Sequence, residues 1–411
     1  MIHSLSQALD LILKNTSPLE PEPVDLDQLF GRVTAEDIVA PYDMPRWDNS
    51  EMDGFAVRTA DCRPFAKLAV NGYLPAGASA EHLTVSPGTA VRIMTGAPIP
   101  RGCDAVVPLE HTDHDETTVM IKGRVCLGDY IRFRGSDMVA GQIAIASGSV
   151  LRPAEINLLA SFSRLRVNVY RRPTVAIIST GDELVPPGHN IGPGQLIDSN
   201  GYSLAAALRE TGAEPVMLGI AQDDLESLRE KVSAGLQEDV LITSAGVSTG
   251  DRDLVRQVLE EAGVVQLFWR VNIKPSGPTA CALKEGKLIF SLPGNPVSSM
   301  IAYEQLVLPT LLKLMGHEKV MKKLFKARLT SPLTNETRKL RFLRVRVTET
   351  ADGFTAESAG DQNTGIISTM IRANGIAILS PDCSRLETGD FVDVQLLNPE
   401  EFSVQRFRID K

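Results

Sequence analysis

The pattern of apolar and polar residues changes character along the chain, and its clearest part lies between residues 174 and 315. Here four short apolar runs alternate with stretches of helical period, as where Leu225, Leu228 and Val232 share one helix face. Alternation at this spacing predicts a doubly wound parallel sheet in which a helix follows each strand. The predicted strands are 174–180, 215–221, 239–244 and 287–292, and the predicted helices are 203–211, 224–236, 253–263 and 297–315.

The flanking regions have different patterns. Residues 3–14 have the apolar spacing of a short helix, and 152–163 predicts a second helix with Pro153 in its first turn. From 24 to 141, many short apolar stretches separated by Gly and Pro turns predict a mostly β unit. After Gly316, alternating runs such as LRFLRVRVTE predict a small all-β domain, which we interpret as a barrel.

Composition narrows the functional class. The 411 residues are 43% hydrophobic and 23% charged, which is typical of a folded protein of two to four domains. The formal net charge of −9 argues against a nucleic-acid-binding surface. The N-terminus lacks a basic region and a long apolar core, and no apolar run approaches the ~20 residues that span a bilayer. We therefore expect a soluble, cytoplasmic protein without a membrane partner.

Cysteine and histidine usage gives little indication of a metal centre. The five cysteines are odd in number and form no Cys-x-x-Cys pair, which fits a reducing compartment better than a disulfide framework. His111 and His114 lie close together, but in an acidic stretch that is typical of an exposed turn.

Three glycine-bearing turns carry the candidate chemistry. STGDEL (179–184), TSAGVSTGDRD (243–253) and SLPGNPVSS (291–299) each follow a predicted strand. In an open α/β sheet such turns gather at the carboxyl ends of the strands, where ligands bind. Their free backbone amides at helix N-termini favour anions. The three turns therefore predict one pocket for a phosphate-bearing or oxyanionic ligand.

Acidic residues in these turns admit two readings. Carboxylates beside an anion site, such as Glu183 and Asp253, predict a divalent cation between them and the ligand. Structural roles fit equally well at two neighbouring positions. Asp182 would cap a local amide, and Asp223 with Glu226 three residues later has the pattern of a capping box.

Taken together, these segments resemble the molybdopterin molybdenumtransferase family, the bacterial relatives of the C-terminal domain of gephyrin. The matching strings occur in the family's order over about residues 48–299. They are DNSEMDGFAVR, RIMTGAPIPRGCDAVV, RFRGSD, AIISTGDEL, DSNGYSL, ITSAGVSTGDRD, FWRVNIKP and SLPGNPVSS.

The resemblance implies four domains. Residues 1–23 and 142–171 would form an elongated helical domain, and 24–141 a β-rich inserted domain. Residues 172–318 would form the α/β domain of the molybdopterin-binding type, and 319–411 a C-terminal β-barrel. The resemblance also implies a homodimer in which each cleft is shared between the α/β domain of one subunit and the β-rich domain of the other.

The implied reaction converts adenylated molybdopterin and molybdate into molybdenum cofactor and AMP, with a divalent cation, Mg. Phosphate-cradling turns and a metal suit this chemistry, because charge develops on phosphate oxygens as the adenylyl link is cleaved. The molybdopterin adenylyltransferase and molybdoenzyme chaperones are the partners that the resemblance suggests.

The resemblance also implies roles for individual residues. By matched position it assigns Asp53, Glu183, Asp223, Asp253 and Lys274 to catalysis, with Glu183 and Asp253 holding the metal. The substrate-binding residues that it implies are Thr95, Asp137, Thr180, Gly181, Gly246, Ser248, Arg270, Pro293, Gly294, Asn295, Pro296, Ser298 and Ser368.

The chain departs from the family's pattern within these turns. Ala245 stands where a glycine is common, and Ser276-Gly277 stand where the family has Gly-Lys. Arg270 replaces a frequent lysine, and Leu254 a frequent tyrosine. The missing lysine motivates one alternative, a non-catalytic molybdopterin-binding or scaffold paralogue. A further alternative is an enzyme that adenylates molybdopterin itself.

Overall fold

A computed structural model of the protein describes residues 2–245 and 254–397. Within them the chain forms two compact units. The first unit contains residues 2–35, 148–153, 166–245 and 254–397, and the second contains residues 36–147 and 154–165.

The helices follow the predicted apolar periods closely. The first begins at a capping box, in which the Ser4 hydroxyl accepts from the Gln7 amide and the Gln7 side chain accepts from the Ser4 amide. The helical stretch predicted over 297–315 contains a π-helical turn, Tyr303–Val307. The helices are α1 (Leu5–Lys14), α2 (Pro153–Ser161), α3 (Asn200–Thr211), α4 (Leu225–Gly235), α5 (Leu254–Glu261), α6 (Pro296–Ala302), α7 (Leu308–Leu314) and α8 (Ser368–Arg372).

The strands are numbered along the chain. Those before α2 are β1 (Ile2–His3), β2 (Pro21–Asp25), β3 (Ile38–Val39), β4 (Asn49–Ser50), β5 (Gly54–Val57), β6 (Lys67–Leu74), β7 (Thr89–Ile93), β8 (Ala105–Pro108), β9 (Thr112–His114), β10 (Thr118–Ile121), β11 (Ile131–Arg132) and β12 (Ile143–Ile145). Those from α2 to α6 are β13 (Arg166–Tyr170), β14 (Thr174–Thr180), β15 (Leu184–Val185), β16 (Leu196–Ile197), β17 (Glu214–Ala221), β18 (Val240–Ser244), β19 (Val265–Phe268), β20 (Arg270–Val271), β21 (Ile273–Lys274), β22 (Ala280–Lys284) and β23 (Lys287–Leu292). The remaining strands are β24 (Leu324–Leu329), β25 (Leu333–Thr334), β26 (Leu340–Thr350), β27 (Gly353–Ser358), β28 (Gly375–Leu379), β29 (Arg385–Leu386) and β30 (Phe391–Leu396).

The central sheet of the first unit has the strand order β17-β14-β18-β23-β22-β19. The first four strands are parallel, as the alternating pattern predicts, and they are the four strands predicted from the sequence. β22 and β19 extend the sheet as antiparallel edge strands that the sequence pattern did not predict. The sheet is therefore doubly wound but mixed.

Helices cover both faces of this sheet. On one face, Leu204 and Leu208 of α3 pack with residues of α6 and α7 against alternate side chains such as Ile177. The buried residues of α1 join the same core, so the N-terminal helix packs with the α/β layers. On the other face, α4 and α5 pack Leu228 and Val258 against the intervening strand residues. This two-sided burial explains why β14, β18 and β23 are buried along nearly their whole length rather than at alternate residues.

The strand order reverses direction between β14 and β18. The chain passes from β14 through α3 to β17 on one side, and then returns to β18 on the other side of β14. The carboxyl ends of β14 and β18 therefore border a topological switch point, where open α/β sheets bind their ligands.

Five strands after residue 323 close into a barrel. The order β26-β27-β24-β30-β28 returns to β26 through a direct β26–β28 pairing, and β21 adds to β26 in parallel. In the second unit, β8-β5-β7-β6-β10-β9 form a six-stranded sheet. The predicted fold class, an α/β domain with a β-rich insertion and a C-terminal barrel, is confirmed.

Two local predictions need correction. α3 begins at Asn200, three residues before the predicted start, because Asp198 accepts from the Gly201 amide and satisfies the first turn. The cap of α4 is Asp224 rather than Asp223. The Asp224 carboxylate accepts from the Glu226 amide at 2.9 Å and from the next amide, Ser227, at 2.8 Å.

Candidate functional site

A cavity of about 130 Å³ opens at the switch point of the central sheet. Its wall contains Thr180 from the end of β14, Ser244 and Ala245 from the end of β18, and Gly294 and Pro296 from the turn after β23. The described residues of the three turns predicted to form one pocket therefore meet around one cavity; of the second turn, these are the residues up to Ala245. A fourth segment, residues 196–200, completes the wall.

Hydrogen bonds connect the turns across the cavity. The Asn200 carboxamide donates to the Ser244 hydroxyl and to the Gly294 carbonyl, both at 2.8 Å. The Thr180 hydroxyl donates to the Ser244 carbonyl at 3.4 Å, and the Ala245 amide donates to Leu292. These bonds hold the ends of β14, β18 and β23 at fixed separations.

The backbone at the cavity wall is unusual at two positions. Ala245 has a φ of +77°, in the left-handed region that favours glycine. This is the position where the family commonly has glycine. Gly181 has a φ of +142°, and a Cβ there would lie 2.5 Å from a carboxylate oxygen of Glu183. The positive φ is the stronger reason for glycine here, because the Glu183 carboxylate ends a flexible side chain that could move.

The turn after β23 leads directly into α6. Asn295 caps this helix, because its side-chain oxygen accepts from the Ser298 amide at 3.2 Å, and Pro296 occupies the first turn. Gly294 and Pro296 both line the cavity, so the N-terminal end of α6 borders it. The partial positive charge at that end of the helix favours binding of an anionic ligand. Pro293 is buried in the same turn.

Acidic side chains cluster beside the ends of β14 and β17. Glu183 is exposed and lines the cavity, and the Asp182 carboxylate accepts from the Asp223 amide at 2.9 Å. Asp182 therefore has the local capping role that the sequence suggested. Partial burial raises the pKa of Asp223, and the negative charges of Asp182 and Glu183 raise it further by smaller amounts. Three carboxylates are thus close enough to repel one another.

This cluster fits a magnesium ion only with help from the substrate. Among residues 2–245 and 254–397, no group of three His, Cys, Asp or Glu side chains is arranged to hold a metal. Mg²⁺ is commonly bound through one or two carboxylates together with substrate phosphates and water. Glu183, exposed on the cavity wall, suits that mode. The predicted second ligand, Asp253, lies outside the described residues, as do Gly246 and Ser248.

The predicted cations lie on the segment that precedes β22. Arg270 is half-buried in β20, and Lys274 is exposed in β21. Two residues later, the Ser276 hydroxyl donates to the Ser298 carbonyl in the first turn of α6. This bond anchors the lysine-bearing segment to the helix that borders the cavity. A Cβ on Gly277 would lie 3.3 Å from a carbonyl oxygen, so the turn is tight where the family has lysine.

Ser368 lies in the first turn of α8, on the barrel, and is exposed. The segment before it is held by Arg344, which is 1% exposed. The Arg344 guanidinium donates to the Thr369 hydroxyl and to the carbonyls of Asp361 and Asn363. Burial lowers the pKa of Arg344, and the negative charge of Asp361 offsets part of this effect. A buried arginine thus shapes the loop that carries Ser368.

Three predicted site residues lie in the second unit, and two of them, Asp53 and Thr95, are hydrogen-bonded to each other. The Asp53 carboxylate accepts from the Thr95 hydroxyl at 2.6 Å and from the Thr95 amide at 2.7 Å. Both bonds lower the pKa of Asp53 and keep it ionised, and the bond from the hydroxyl has the larger effect. Asp137 is exposed, and its amide donates to the Met44 carbonyl.

The cavity residues without a predicted role include two that are polar and buried. Asp198 and Asn200 are 5% and 8% exposed, and both line the cavity. In the sequence, the only indication of a role was their position in the segment DSNGYSL, where they flank Ser199 just before the predicted helix 203–211. Polar residues there are typical of helix caps, and nothing in the local pattern indicates the long-range bonds that they make.

A larger cavity, of about 330 Å³, lies between α3, the π-helical turn and α7. Its wall is mostly apolar, and its polar groups are largely paired within the protein. Glu304 pairs with Lys322 at 2.7 Å, and the Tyr303 hydroxyl bonds to the Thr211 hydroxyl at 2.6 Å. It contains none of the predicted site residues, so we place the chemistry at the smaller cavity.

In the described part of the chain, no helix is both long and apolar enough to cross a membrane.

Comparison with protein families and known proteins covers nearly the whole chain. Residues 3–163 match the MoeA N-terminal region (domain I and II), 176–313 a probable molybdopterin binding domain, and 326–397 the MoeA C-terminal region (domain IV).

Individual relatives match over similar lengths. A molybdopterin molybdenumtransferase from Staphylococcus epidermidis is 33% identical over 97% of this chain and 96% of its own length. One from Haemophilus influenzae is 34% identical over 96% of this chain and 98% of its own. The crystal structure of a molybdopterin biosynthesis MoeA protein from Pyrococcus horikosii has a TM-score of 0.82 and 31% identity, covering 97% of this chain and 100% of that one.

Proposed function

Because the chain belongs to the molybdopterin molybdenumtransferase family, we propose that it inserts molybdenum into adenylated molybdopterin and releases AMP. The observation that carries this proposal is the cavity at the switch point. Described residues of all three strand-end turns line it, among them an exposed carboxylate, Glu183. An adenylated, phosphate-bearing substrate and a tetrahedral oxyanion need this combination of backbone donors and a cation site.

The residues of the cavity divide the work as follows. The N-terminal end of α6 and the Ser244 hydroxyl bind the anionic groups of the substrate. Glu183 would hold the magnesium ion, and Asp223 would help to organise the acidic cluster around it. When bound, the metal neutralises charge that develops on the phosphate oxygens as the adenylyl link is cleaved. Lys274 adds a positive charge that holds phosphate or molybdate.

We propose that Asp53, Thr95 and Asp137 complete this site from the second subunit of a homodimer. Support comes from exposed apolar side chains near these residues in the sequence. Trp47 is 52% exposed and Phe133 is 51% exposed, which is typical of a surface that a partner covers. The hydrogen bond from Thr95 keeps the Asp53 carboxylate ionised, so it could act on a substrate bound by the partner subunit.

The test is an assay of purified protein with adenylated molybdopterin, molybdate and Mg²⁺. We expect AMP release that depends on molybdate, together with formation of molybdenum cofactor. Glu183→Ala and Asp53→Ala should each abolish turnover, while thermal unfolding stays nearly unchanged because neither side chain is buried. Absence of AMP release from the unmodified protein would remove the proposal. ATP consumption with unmodified molybdopterin would instead favour the adenylating alternative.

A non-catalytic binder remains the second candidate, and one observation favours it. Gly277 occupies a tight turn where the family has a lysine, so one cation of the substrate site is absent from that position. Calorimetry that shows tight binding of adenylated molybdopterin, together with no turnover, would support this candidate.

The proposal includes a cytoplasmic location and two kinds of protein partner. The enzyme that adenylates molybdopterin must supply the substrate, and a chaperone of molybdoenzymes would receive the product. The odd cysteine count is what supports a reducing compartment. Cell fractionation and affinity capture of the tagged chain test these points.

A further inference from the structure

Asp198 and Asn200 occupy the middle of the cavity wall, between the three turns. Both side chains are more than nine-tenths buried. Buried polar groups of this kind require hydrogen-bond partners, and the partners found here are the turns themselves.

The orientation of the Asn200 carboxamide follows from its partners. The Gly294 carbonyl can only accept a hydrogen bond, so the nitrogen of the carboxamide must face it at 2.8 Å. The second N–H of the same nitrogen reaches the Ser244 hydroxyl, also at 2.8 Å. The oxygen, Oδ1, is buried and accepts from no group in the described chain. One nitrogen therefore joins two turns, and both of its donors are used.

The two joined turns touch directly beside this bridge. A Cβ built on Gly294 would lie 3.0 Å from the Cβ of Ala245, which is closer than ordinary van der Waals contact. Ala245 is also the residue with a left-handed backbone. Such a conformation persists only where the surroundings hold it in place. The Asn200 bridge, one residue away at Ser244, supplies part of that hold.

Asp198 connects the remaining turn to the same segment. Its carboxylate accepts from the Ser179 hydroxyl at 2.8 Å and from the Gly201 amide at 3.0 Å. A Cβ on Gly201 would lie 2.8 Å from a carboxylate oxygen of Asp198, so the glycine is needed for this approach. The start of α3 is thereby fixed against the end of β14, and this fixes the Asn200 side chain in place.

We propose that Asn200 is a positioning residue for substrate binding: its two N–H donors, together with the Ala245–Leu292 backbone bond, set the distance between the turn at Ser244 and the turn at Gly294, and that distance determines how tightly the anionic groups of the substrate are bound. The inference rests on the proposed function, since the substrate is the one named there. It assigns Asn200 no contact with reacting atoms. Its role is to hold backbone donors that make those contacts.

Asn200→Asp and Asn200→Ala test this role. Asp preserves shape but loses both donors and places an oxygen against the Gly294 carbonyl, whereas Ala removes the carboxamide without adding charge. We expect KM for adenylated molybdopterin to rise about 10- to 100-fold in both variants, with a much smaller change in kcat. Ser203→Ala is the matched control in the same helix, since its hydroxyl bonds only locally to the Asn200 carbonyl, and it should leave KM unchanged.

A purely structural role predicts a different result. Loss of folded protein lowers the apparent kcat in proportion to the active fraction and leaves KM unchanged. That outcome, or unfolding of both variants at the assay temperature, would overturn the proposal.

Amide hydrogen exchange separates this inference from the proposed function. In Asn200→Ala, exchange should accelerate at the amides of Ala245, which donates to the Leu292 carbonyl, and Ser299, which donates to the Asn295 carbonyl, and not in α4. If the unmodified protein released no AMP, the proposed function would fail while this exchange result still decided whether Asn200 holds the turns. Unchanged exchange at both amides would overturn the positioning role.

Discussion

At the scale of single residues, the cavity depends on a few conformations that local propensity disfavours. Ala245 holds a φ of +77° without being glycine, and Asp223 sits among like charges with a raised pKa. Such departures concentrate where a site must hold donors and charges in fixed places. Both can be tested directly, because one substitution can remove the backbone strain at Ala245 and another can remove a charge that raises the pKa of Asp223.

Replacing Ala245 with glycine should stabilise the protein. Glycine adopts a positive φ without the Cβ penalty, so we expect the free energy of unfolding of the first unit to rise by about 1 kcal/mol. Thermal unfolding by calorimetry measures this. Ala205→Gly, in the interior of α3, is the matched control and should lower stability by at least about 1 kcal/mol. A fall in stability for Ala245→Gly would show that the left-handed backbone carries no strain.

The acid limb of the pH profile should respond to Asp182. Burial and then the Asp182 charge raise the pKa of Asp223, so its ionised form is lost at a higher pH than for an ordinary aspartate. Asp182→Asn keeps an oxygen that can accept from the Asp223 amide but removes the charge, which lowers the pKa of Asp223. We therefore expect the acid limb of kcat/KM to move to lower pH. A limb that stays in place would show that Asp223 does not have to be ionised.

At the scale of elements, the periodicity of the sequence was sufficient for most helices and for the four parallel strands of the central sheet, but many of the other strands were not predicted. β14, β18 and β23 are buried on both faces because helices cover both sides, and this made them easy to recognise. The antiparallel edge strands and the π-helical turn were not predicted, because both are set by tertiary packing rather than by local pattern. The cap of α4 was misplaced by one residue, since two adjacent aspartates both fit a capping pattern.

The corrected cap makes a prediction about adjacent residues. Asp224→Ala should lower the free energy of unfolding by about 1 kcal/mol, because two amides of the first turn of α4 lose their acceptor. Asp223→Ala should leave thermal unfolding within about 0.5 kcal/mol of the unmodified protein and reduce turnover instead. If Asp223→Ala lowered the free energy of unfolding and Asp224→Ala did not, Asp223 would be the cap of α4.

The candidate site shows a similar division between local and long-range information. The turns at Thr180, Ser244 and Gly294 were predictable, because strand ends of a parallel sheet share one edge. The bridging role of Asn200 was not, since its partners lie 44 and 94 residues away in the chain. No sequence pattern specifies which distant hydroxyl or carbonyl a buried amide will meet.

At the scale of the whole molecule, the account requires two subunits. Asp53 belongs to the second unit of the chain and Glu183 to the first, and the proposed cleft combines them from different copies. A symmetric homodimer would contain two such clefts. Sedimentation analysis should therefore give the mass of a dimer.

Mixing two inactive variants tests the shared cleft. A dimer of one Asp53→Ala subunit and one Glu183→Ala subunit contains one cleft with both carboxylates and one with neither. Random exchange of equal amounts should then restore about a quarter of the unmodified activity, since half of the dimers are mixed. No recovery after demonstrated subunit exchange would place both residues in a cleft within one subunit, or outside the site.

The central claim is that the three strand-end turns bind the adenylated substrate together, and a crystal structure with adenylated molybdopterin or AMP tests it most directly. We predict electron density for the phosphate in the cavity walled by Thr180, Ser244 and Gly294, within hydrogen-bonding distance of backbone amides there. Density at a different surface, with this cavity unchanged by the ligand, would contradict the account.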